Sequence, residues 1–207
     1  MLQRRESIAS PIVALPELLP LLEEWYSSSC ITSFLKAEIQ QLIHLQDKGL
    51  ANLYDNYNSQ HLTDVLQNSL LLKDIKRYII QKKQYIWQQS FLQCSTSTGK
   101  KLSKAERNRL DINKSSLVYG EVSFKTLGEL LYSSHINLDH CKIFYDLGSG
   151  TGRCILGAVL LHNFDKVYGI EILQDLTLAS QEILLNFKST SYYKNHSYIQ
   201  KIDVQTV

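Results

Sequence analysis

The sequence predicts an α/β fold with a parallel sheet in its second half. Apolar segments of strand length lie at residues 142–147, 166–171 and 197–203, and segments of helical length lie between them at 153–161 and 173–188. Strands that alternate with helices form parallel sheets, and we expect helices on both faces of this one. The first half of the chain carries only helical periodicity, so a helical region is expected to precede the sheet.

The first predicted strand runs into a turn that carries three alternating glycines. Its sequence is Asp146-Leu147-Gly148-Ser149-Gly150-Thr151-Gly152, and a helix is expected to start at Arg153. A strand, a glycine turn and a helix in this order offer backbone N–H groups and a positive helix end to a ligand. The dinucleotide fingerprint does not fit, because its third glycine would fall at Arg153 or Ile155. A phosphate-binding loop does not fit either, because Gly152 is not followed by Lys and then Ser or Thr.

The pattern that remains, Asp-x-Gly-x-Gly-x-Gly, resembles the first motif of S-adenosylmethionine-dependent methyltransferases. That resemblance implies that Gly148 and Gly150 make room for the methionine part and the ribose of the cofactor. It also implies that Asp146 orients the amino end of the cofactor. A glycine turn that only connects a strand to a helix is the alternative interpretation.

Acidic residues end the second and third predicted strands. Glu171 follows Gly152 by 19 residues, close to the spacing of about 20 at which an acid meets ribose hydroxyls in nucleotide-binding folds. A carboxylate suits a vicinal diol because it accepts two hydrogen bonds. Asp203 ends the third predicted strand, where methyltransferases of this type often have an acid near the adenine amino group. A solvated acid at a strand end is the alternative for both residues.

Composition sets limits on other functions. The chain has 207 residues, a formal net charge of +2 and no apolar run long enough to cross a membrane. Its four cysteines, Cys30, Cys94, Cys141 and Cys154, are far apart and form no Cys-x-x-Cys pattern. Neither a zinc site nor a disulfide framework is indicated, so no metal is expected. The absence of a disulfide pattern predicts a reducing compartment, either the cytosol or the nucleus.

Helices are predicted for most of the region before residue 94. Apolar residues recur at helical spacing over 31–48 and 62–93, with a turn-rich segment at 51–60 between them. A Ser/Thr-rich linker is expected at 94–99. A capping box at Ser103-Lys104-Ala105-Glu106 is then expected to open a short helix.

A basic segment spans Lys100 to Lys114. Its six basic residues outnumber its two acids, Glu106 and Asp111. We expect this segment either to contact nucleic acid or an acidic protein surface, or to be only a solvated connector. A domain boundary is placed at its end, with a helical region at 1–114 and an S-adenosylmethionine-binding domain at 115–207.

Two further motifs flank the glycine turn. Tyr119-Gly120-Glu121 precedes Asp146-Leu147-Gly148-Ser149-Gly150, and Tyr168-Gly169-Ile170-Glu171 follows it. In this order the three motifs resemble the non-SET histone-lysine methyltransferases of the disruptor-of-telomeric-silencing family, in which a Tyr-Gly-Glu-Thr-Ser loop precedes the Asp-Leu-Gly-Ser-Gly turn. The match covers roughly residues 115–205. Within it, Ser123 is expected to cap the helix that leads to the first strand.

The resemblance implies a Rossmann-like class I methyltransferase fold with S-adenosylmethionine as the cofactor. It implies cofactor contacts from residues on the loop, the turn and the strand ends: Tyr119, Glu121, Asp146, Gly148, Gly150, Glu171 and Asp203. It further implies a nuclear protein whose substrate is a lysine on the globular core of histone H-three within a nucleosome. No catalytic side chain is assigned, because methyl transfer is a direct displacement that needs alignment and the exclusion of water.

Departures from the family pattern limit the activity that we expect. Val122 stands where the family has Thr, and nothing here supplies the Asn-rich motif that the family carries after its fourth strand. A complete fold of this type has about seven strands, so we expect a truncated form with about three, an open apolar edge at 143–147 and little activity alone. Two other functions stay open: a methyltransferase acting on RNA or a small molecule, and an inactive methyltransferase-like module that binds partners.

Overall fold

The structure, a computed structural model, describes residues 29–56, 69–111, 118–133, 136, 138, 141–200 and 203–206. Helices α1 to α5 come before the sheet and span Ser29–His44, Lys48–Asn56, Ser69–Ser90, Thr96–Arg109 and Phe124–Leu131. The sheet region then runs β1, α6, β2, α7, α8, α9 and β3, with the bounds Ile143–Leu147, Arg153–Leu161, Lys166–Ile170, Gln174–Ser189, Ser191–Asn195, Ser197–Gln200 and Asp203–Thr206. Helices with a small parallel sheet confirm the predicted α/β class.

The strands form one parallel sheet in the order β1-β2-β3, with β2 in the centre. Leu147 lies beside Ile170, so the carboxyl ends of β1 and β2 are at the same edge of the sheet. The turn after β1 continues this pairing, because the backbone N–H groups of Gly148 and Ser149 donate to the Ile170 carbonyl oxygen at 2.8 and 3.1 Å. The first two predicted strands are therefore confirmed, and the turn between β1 and α6 is fixed to the end of β2.

The third strand differs from the prediction. The sequence predicts a strand over 197–203 that ends at Asp203, but Ser197–Gln200 form α9 and β3 begins at Asp203. The helical turn of α9 buries Ile199 completely in the core. A short apolar run can be buried by a helical turn as well as by a strand, so its apolar character alone does not distinguish the two. Asp203 pairs with Lys166 at the amino end of β2, so it lies at the sheet edge opposite to the glycine turn.

Helices cover one face of the sheet. Phe144 and Val167 belong to a core that includes Ile155 of α6 and the apolar side of α7. The opposite face carries Tyr145 and Leu147, whose side chains are 58% and 77% exposed. Right-handed crossovers place α6 and α7 on the same side, because each new strand is added in the same direction. For the described residues, the prediction of helices on both faces of the sheet is therefore wrong. The predicted open apolar edge is confirmed, since β1 pairs there only with β2.

The helices before the sheet form a second apolar cluster. It joins α1, α2 and α3 through Leu35, Ile39, Leu42, Leu50, Leu71, Ile75 and Ile79. The carboxyl end of α3 reaches the main core with Trp87, and Phe91 directly after the helix joins the same core. The predicted turn at 51–60 is wrong for residues 51–56, which belong to α2. Asp47 caps this helix, because its carboxylate accepts a 3.0 Å hydrogen bond from the backbone of the first turn. No described helix is long and apolar enough to cross a membrane.

Helix α4 occupies the segment predicted as a linker. It begins one residue after Ser95, whose side chain accepts a 3.3 Å hydrogen bond from the backbone of the helix. The linker at 94–99 and the capping box at Ser103 are therefore wrong, because Ser95 caps the helix two turns earlier and Ser103 is buried in its interior. Ser123 caps α5 as predicted, with a 3.0 Å hydrogen bond from that helix.

Candidate functional site

The carboxylate of Glu171 connects the glycine turn to helix α7. It stands directly after β2, at the sheet edge where β1 also ends. Its Oε2 accepts a hydrogen bond of 2.8 Å from Gly150 N–H, and its Oε1 accepts one of 2.9 Å from Leu173 N–H. Glu171 is half-buried, and each of its oxygens keeps a second lone pair for a further donor.

The three glycines of the turn all have positive φ angles, of 85° at Gly148, 55° at Gly150 and 84° at Gly152. Their surroundings differ. A Cβ at Gly150 would lie 2.8 Å from the ring of Tyr119, and one at Gly152 would collide with Ser180 Oγ. A Cβ at Gly148 would meet nothing within 4 Å. Gly150 and Gly152 are therefore required by packing as well as by φ, while Gly148 leaves an open side to the turn.

The Tyr119 side chain anchors the Tyr-Gly-Glu loop onto the glycine turn. Its ring packs on Gly150 and is only 9% exposed. Its hydroxyl donates to Glu121 Oε1 at 2.6 Å and lies 2.7 Å from Thr151 Oγ1. Burial and the hydrogen bond to Glu121 raise the pKa of Tyr119, so this phenol stays protonated and remains a donor.

Arg153, the first residue of α6, joins three parts of the molecule. Its Nε lies 2.7 Å from Glu121 Oε1, and the ion pair is largely buried, with 12% and 13% of the two side chains exposed. Its guanidinium donates to the Cys94 carbonyl oxygen at 3.0 Å and lies 4.4 Å from the ring centre of Phe91. Trp87 Nε1 in turn donates to the Arg153 carbonyl oxygen at 2.9 Å. Arg153 was not among the predicted site residues, although its place directly after the last glycine of the turn was an available signal.

Glu121 is held entirely by contacts within the protein. Thr96 Oγ1 donates to its Oε2, while Tyr119 and Arg153 bind its Oε1. These contacts tie the loop to the start of α4 and to the start of α6. Glu121 therefore fixes the position of the loop over the turn.

Asp146 lies half-buried at the end of β1. Burial raises the pKa of its carboxyl group, and the negative charge of Glu171 raises it further. A cation bound between these two acids would relieve both effects, because it would stabilise the ionised form of Asp146. The electrostatics of this edge therefore favour a positively charged ligand.

The structure brings most of the predicted site residues to one edge of the sheet. Asp146, Gly148, Gly150 and Glu171 lie around the turn, and the loop with Tyr119 and Glu121 is fastened to it. Asp203 is the exception, because it lies at the opposite edge. In the described part of the chain, no group of three or more His, Cys, Asp or Glu residues is placed to hold a metal ion.

The predicted basic segment has two different faces on α4. Lys100, Lys101 and Lys104 are exposed on one side of the helix. Arg109 instead lies 3.3 Å from Asp175 Oδ1 of α7. Lys114 falls outside the described residues. Among the described residues of this segment, the exposed lysines therefore lie in the middle of α4, the helix whose first residue, Thr96, contacts the loop.

Comparison with known proteins identifies one part of the chain. The family model described as histone methylation protein DOT1 matches residues 102–202. This range contains the loop, the glycine turn and both strand ends that form the site. No curated protein matches the chain.

Proposed function

Since this chain belongs, through residues 102–202, to the DOT1 histone methylation family, we propose that it binds S-adenosylmethionine and serves methyl transfer to a histone lysine in the nucleosome. The observation that carries the proposal is the meeting of Asp146, the glycine turn and Glu171 at one sheet edge, under a loop fastened by Tyr119. Parallel α/β sheets bind their ligands at this edge.

The residues present fit the chemistry of the cofactor. S-Adenosylmethionine carries a positive sulfonium and a positive amino group, and it supplies the methyl group when bound. Asp146, whose pKa is raised by burial beside a second acid, would hold the amino end. Glu171 has free lone pairs for the ribose hydroxyls, and the open side of Gly148 leaves space for the methionine part.

The chain's own residues would align the ligand and exclude water. Tyr119 closes one side of the turn with its buried ring, and its hydroxyl is fully engaged with Glu121 and Thr151. Arg153 holds Glu121 and thereby the loop. A rigid loop at this place suits a direct displacement, which depends on alignment more than on a reactive side chain.

The exposed lysines of α4 support a nucleosome as the substrate. Lys100, Lys101 and Lys104 present positive charge without a neighbouring acid on the same side of the helix. Since Thr96 connects this helix to the loop, a phosphate-bearing surface bound here would lie on the same side of the domain as the loop. A nuclear location follows from this proposal.

Titration calorimetry of the purified chain with S-adenosylmethionine tests the cofactor site. Glu171→Ala should weaken binding by about ten- to a hundredfold, because a charge-assisted hydrogen bond is worth about 1.5–3 kcal/mol. Asp165→Ala is the matched control, since Asp165 is an exposed acid directly before β2, at the sheet edge opposite to the turn. A folded parent chain that does not bind the cofactor would contradict the proposal.

A methylation panel tests the substrate class. Nucleosomes, free histones and RNA are offered in parallel with radiolabelled cofactor. Labelling of nucleosomes above free histones would support the proposal. Preferential labelling of RNA would replace it by the RNA methyltransferase alternative.

A further inference from the structure

We propose that Glu106 of α4 is a positioning residue that holds the cofactor-binding carboxylate of Glu171 in place through the first turn of α7. The proposal rests on the proposed function, because it assigns Glu171 to the ribose of the cofactor. Glu106 lies on a different helix and makes its contacts from outside the β2–α7 connection.

Glu106 is a buried acid whose two oxygens are both engaged. Its side chain is 3% exposed. Its Oε1 accepts a hydrogen bond of 2.9 Å from Gln174 N–H, and its Oε2 accepts one of 2.8 Å from Asp175 N–H. These two N–H groups have no partner inside α7, because they belong to its first turn. A negative charge at this end also interacts favourably with the helix dipole.

The N-cap position of α7 explains why another helix supplies the acid. The N-cap residue is Leu173, which has no side-chain acceptor of its own. Its backbone N–H donates instead to Glu171 Oε1 at 2.9 Å. Three successive N–H groups, at residues 173, 174 and 175, are therefore held by two carboxylates, one from the strand end and one from α4.

These contacts form a continuous path from α4 to the glycine turn. Glu106 fixes the backbone of the first turn of α7, Leu173 N–H fixes one oxygen of Glu171, and Gly150 N–H fixes the other. If Glu106 no longer held that turn, Leu173 could move and Glu171 would lose one of its two fixed points. Orientation of the acid toward a ribose diol would suffer even though Glu171 itself is unchanged.

Neighbouring contacts hold α4 at the required distance. Leu102 of α4 packs against a small cluster of Tyr119, Leu173 and Leu176. Arg109 lies 3.3 Å from Asp175 Oδ1 and 3.6 Å from Glu106 Oε1, which links the same two helices at the surface. Both the loop and α7 thus contact one face of α4, so Glu106 is held rigidly enough to position another residue.

The test is a double-mutant cycle on cofactor affinity. Glu106→Gln keeps one acceptor and places an amide N–H₂ against a backbone N–H, so it should weaken S-adenosylmethionine binding by about three- to tenfold. In the Glu171→Gln background the same substitution should have no further effect, because Glu106 acts only through Glu171. Glu106→Asp, which keeps the charge, should recover part of the affinity. Asn108→Ala, at an exposed position on α4, is the control.

Amide hydrogen exchange without cofactor gives a second measurement. Glu106→Gln should speed exchange at residues 173–175 and leave α6 unchanged. Equal loss of affinity in both backgrounds, or unchanged affinity with unchanged exchange, would overturn the positioning role. A parent chain that binds no cofactor would instead refute the proposed function and the cofactor part of this inference together, while the exchange measurement would still decide whether Glu106 fixes the first turn.

Discussion

At the scale of single residues, the three glycines of the turn serve different purposes. All have positive φ angles, but only Gly150 and Gly152 are confined by neighbouring side chains. Gly148 is open on the side where a Cβ would point. The sequence identifies the motif because the glycine spacing is local. It cannot show which glycine faces a ligand, because Tyr119 and Ser180 come from distant parts of the chain.

We expect alanine substitutions to separate these roles. Gly148→Ala should lower the free energy of unfolding by about 1 kcal/mol, the cost of a left-handed alanine. Gly152→Ala should cost at least about 1 kcal/mol more, because its Cβ would also collide with Ser180. Denaturant unfolding measures both values. Equal losses for the two variants would contradict the packing described for Gly152.

The pH dependence of cofactor binding should follow the ionisation of Asp146. Its pKa is raised in the folded chain, chiefly by burial, so protonation competes with a cationic ligand at pH values above the usual range for Asp. Affinity for S-adenosylmethionine should therefore rise as the pH rises through this pKa and then become constant. For the free chain the sign is opposite, since folded stability falls as the pH rises through the same value. Calorimetry across pH, with Asp146→Asn as the control that removes the dependence, measures this.

At the scale of elements, the contacts of Arg153 show why α3 belongs with the site. Trp87 of α3 and Phe91, which directly follows that helix, hold the guanidinium that pairs with Glu121. The sequence predicts α3 and α6 from their periodicity. It gives no sign of their contact, because Trp87 and Arg153 are separated by more than sixty positions. Local signals likewise predict the Ser123 cap correctly, but they fail at 197–203, where a short apolar run suits a helical turn as well as a strand.

Removing Arg153 should loosen the loop as well as the helix contact. Arg153→Ala leaves Glu121 as a largely buried acid without its cation, and it should lower the free energy of unfolding by about 2–4 kcal/mol. Arg153→Lys should recover only part of this, because an ammonium cannot pair and stack as a planar guanidinium does. If Glu121→Gln combined with Arg153→Ala is as unstable as Arg153→Ala alone, the ion pair is not the cause.

At the scale of the whole molecule, one face and one edge of the sheet distinguish this chain from the expected arrangement. In the described residues, helices cover only the side with Phe144 and Val167, and β1 is an edge strand. The α/β class follows from the alternation of strands and helices in the sequence. The distribution of helices over the faces does not, since it depends on the order in which strands are added to the sheet.

The exposed charge of α4 should be measurable in nucleosome binding. Replacing Lys100, Lys101 and Lys104 together by Ala should reduce the slope of log affinity against log salt by about three if each lysine neutralises one phosphate. Cofactor binding should stay unchanged, because these side chains point away from the turn side of the helix, where Ser103 and Glu106 are buried. An unchanged slope would show that α4 does not contact DNA.

The position of the cofactor is tested most directly by amide chemical shifts of the isotope-labelled chain during titration with S-adenosylmethionine. We expect the largest changes at residues 146–152 and 171–173, around the carboxyl ends of β1 and β2. We expect none at Asp203 and Val204, because β3 begins at the opposite edge of the sheet. Changes centred on Asp203, or no changes in a folded chain, would contradict the site described at the glycine turn.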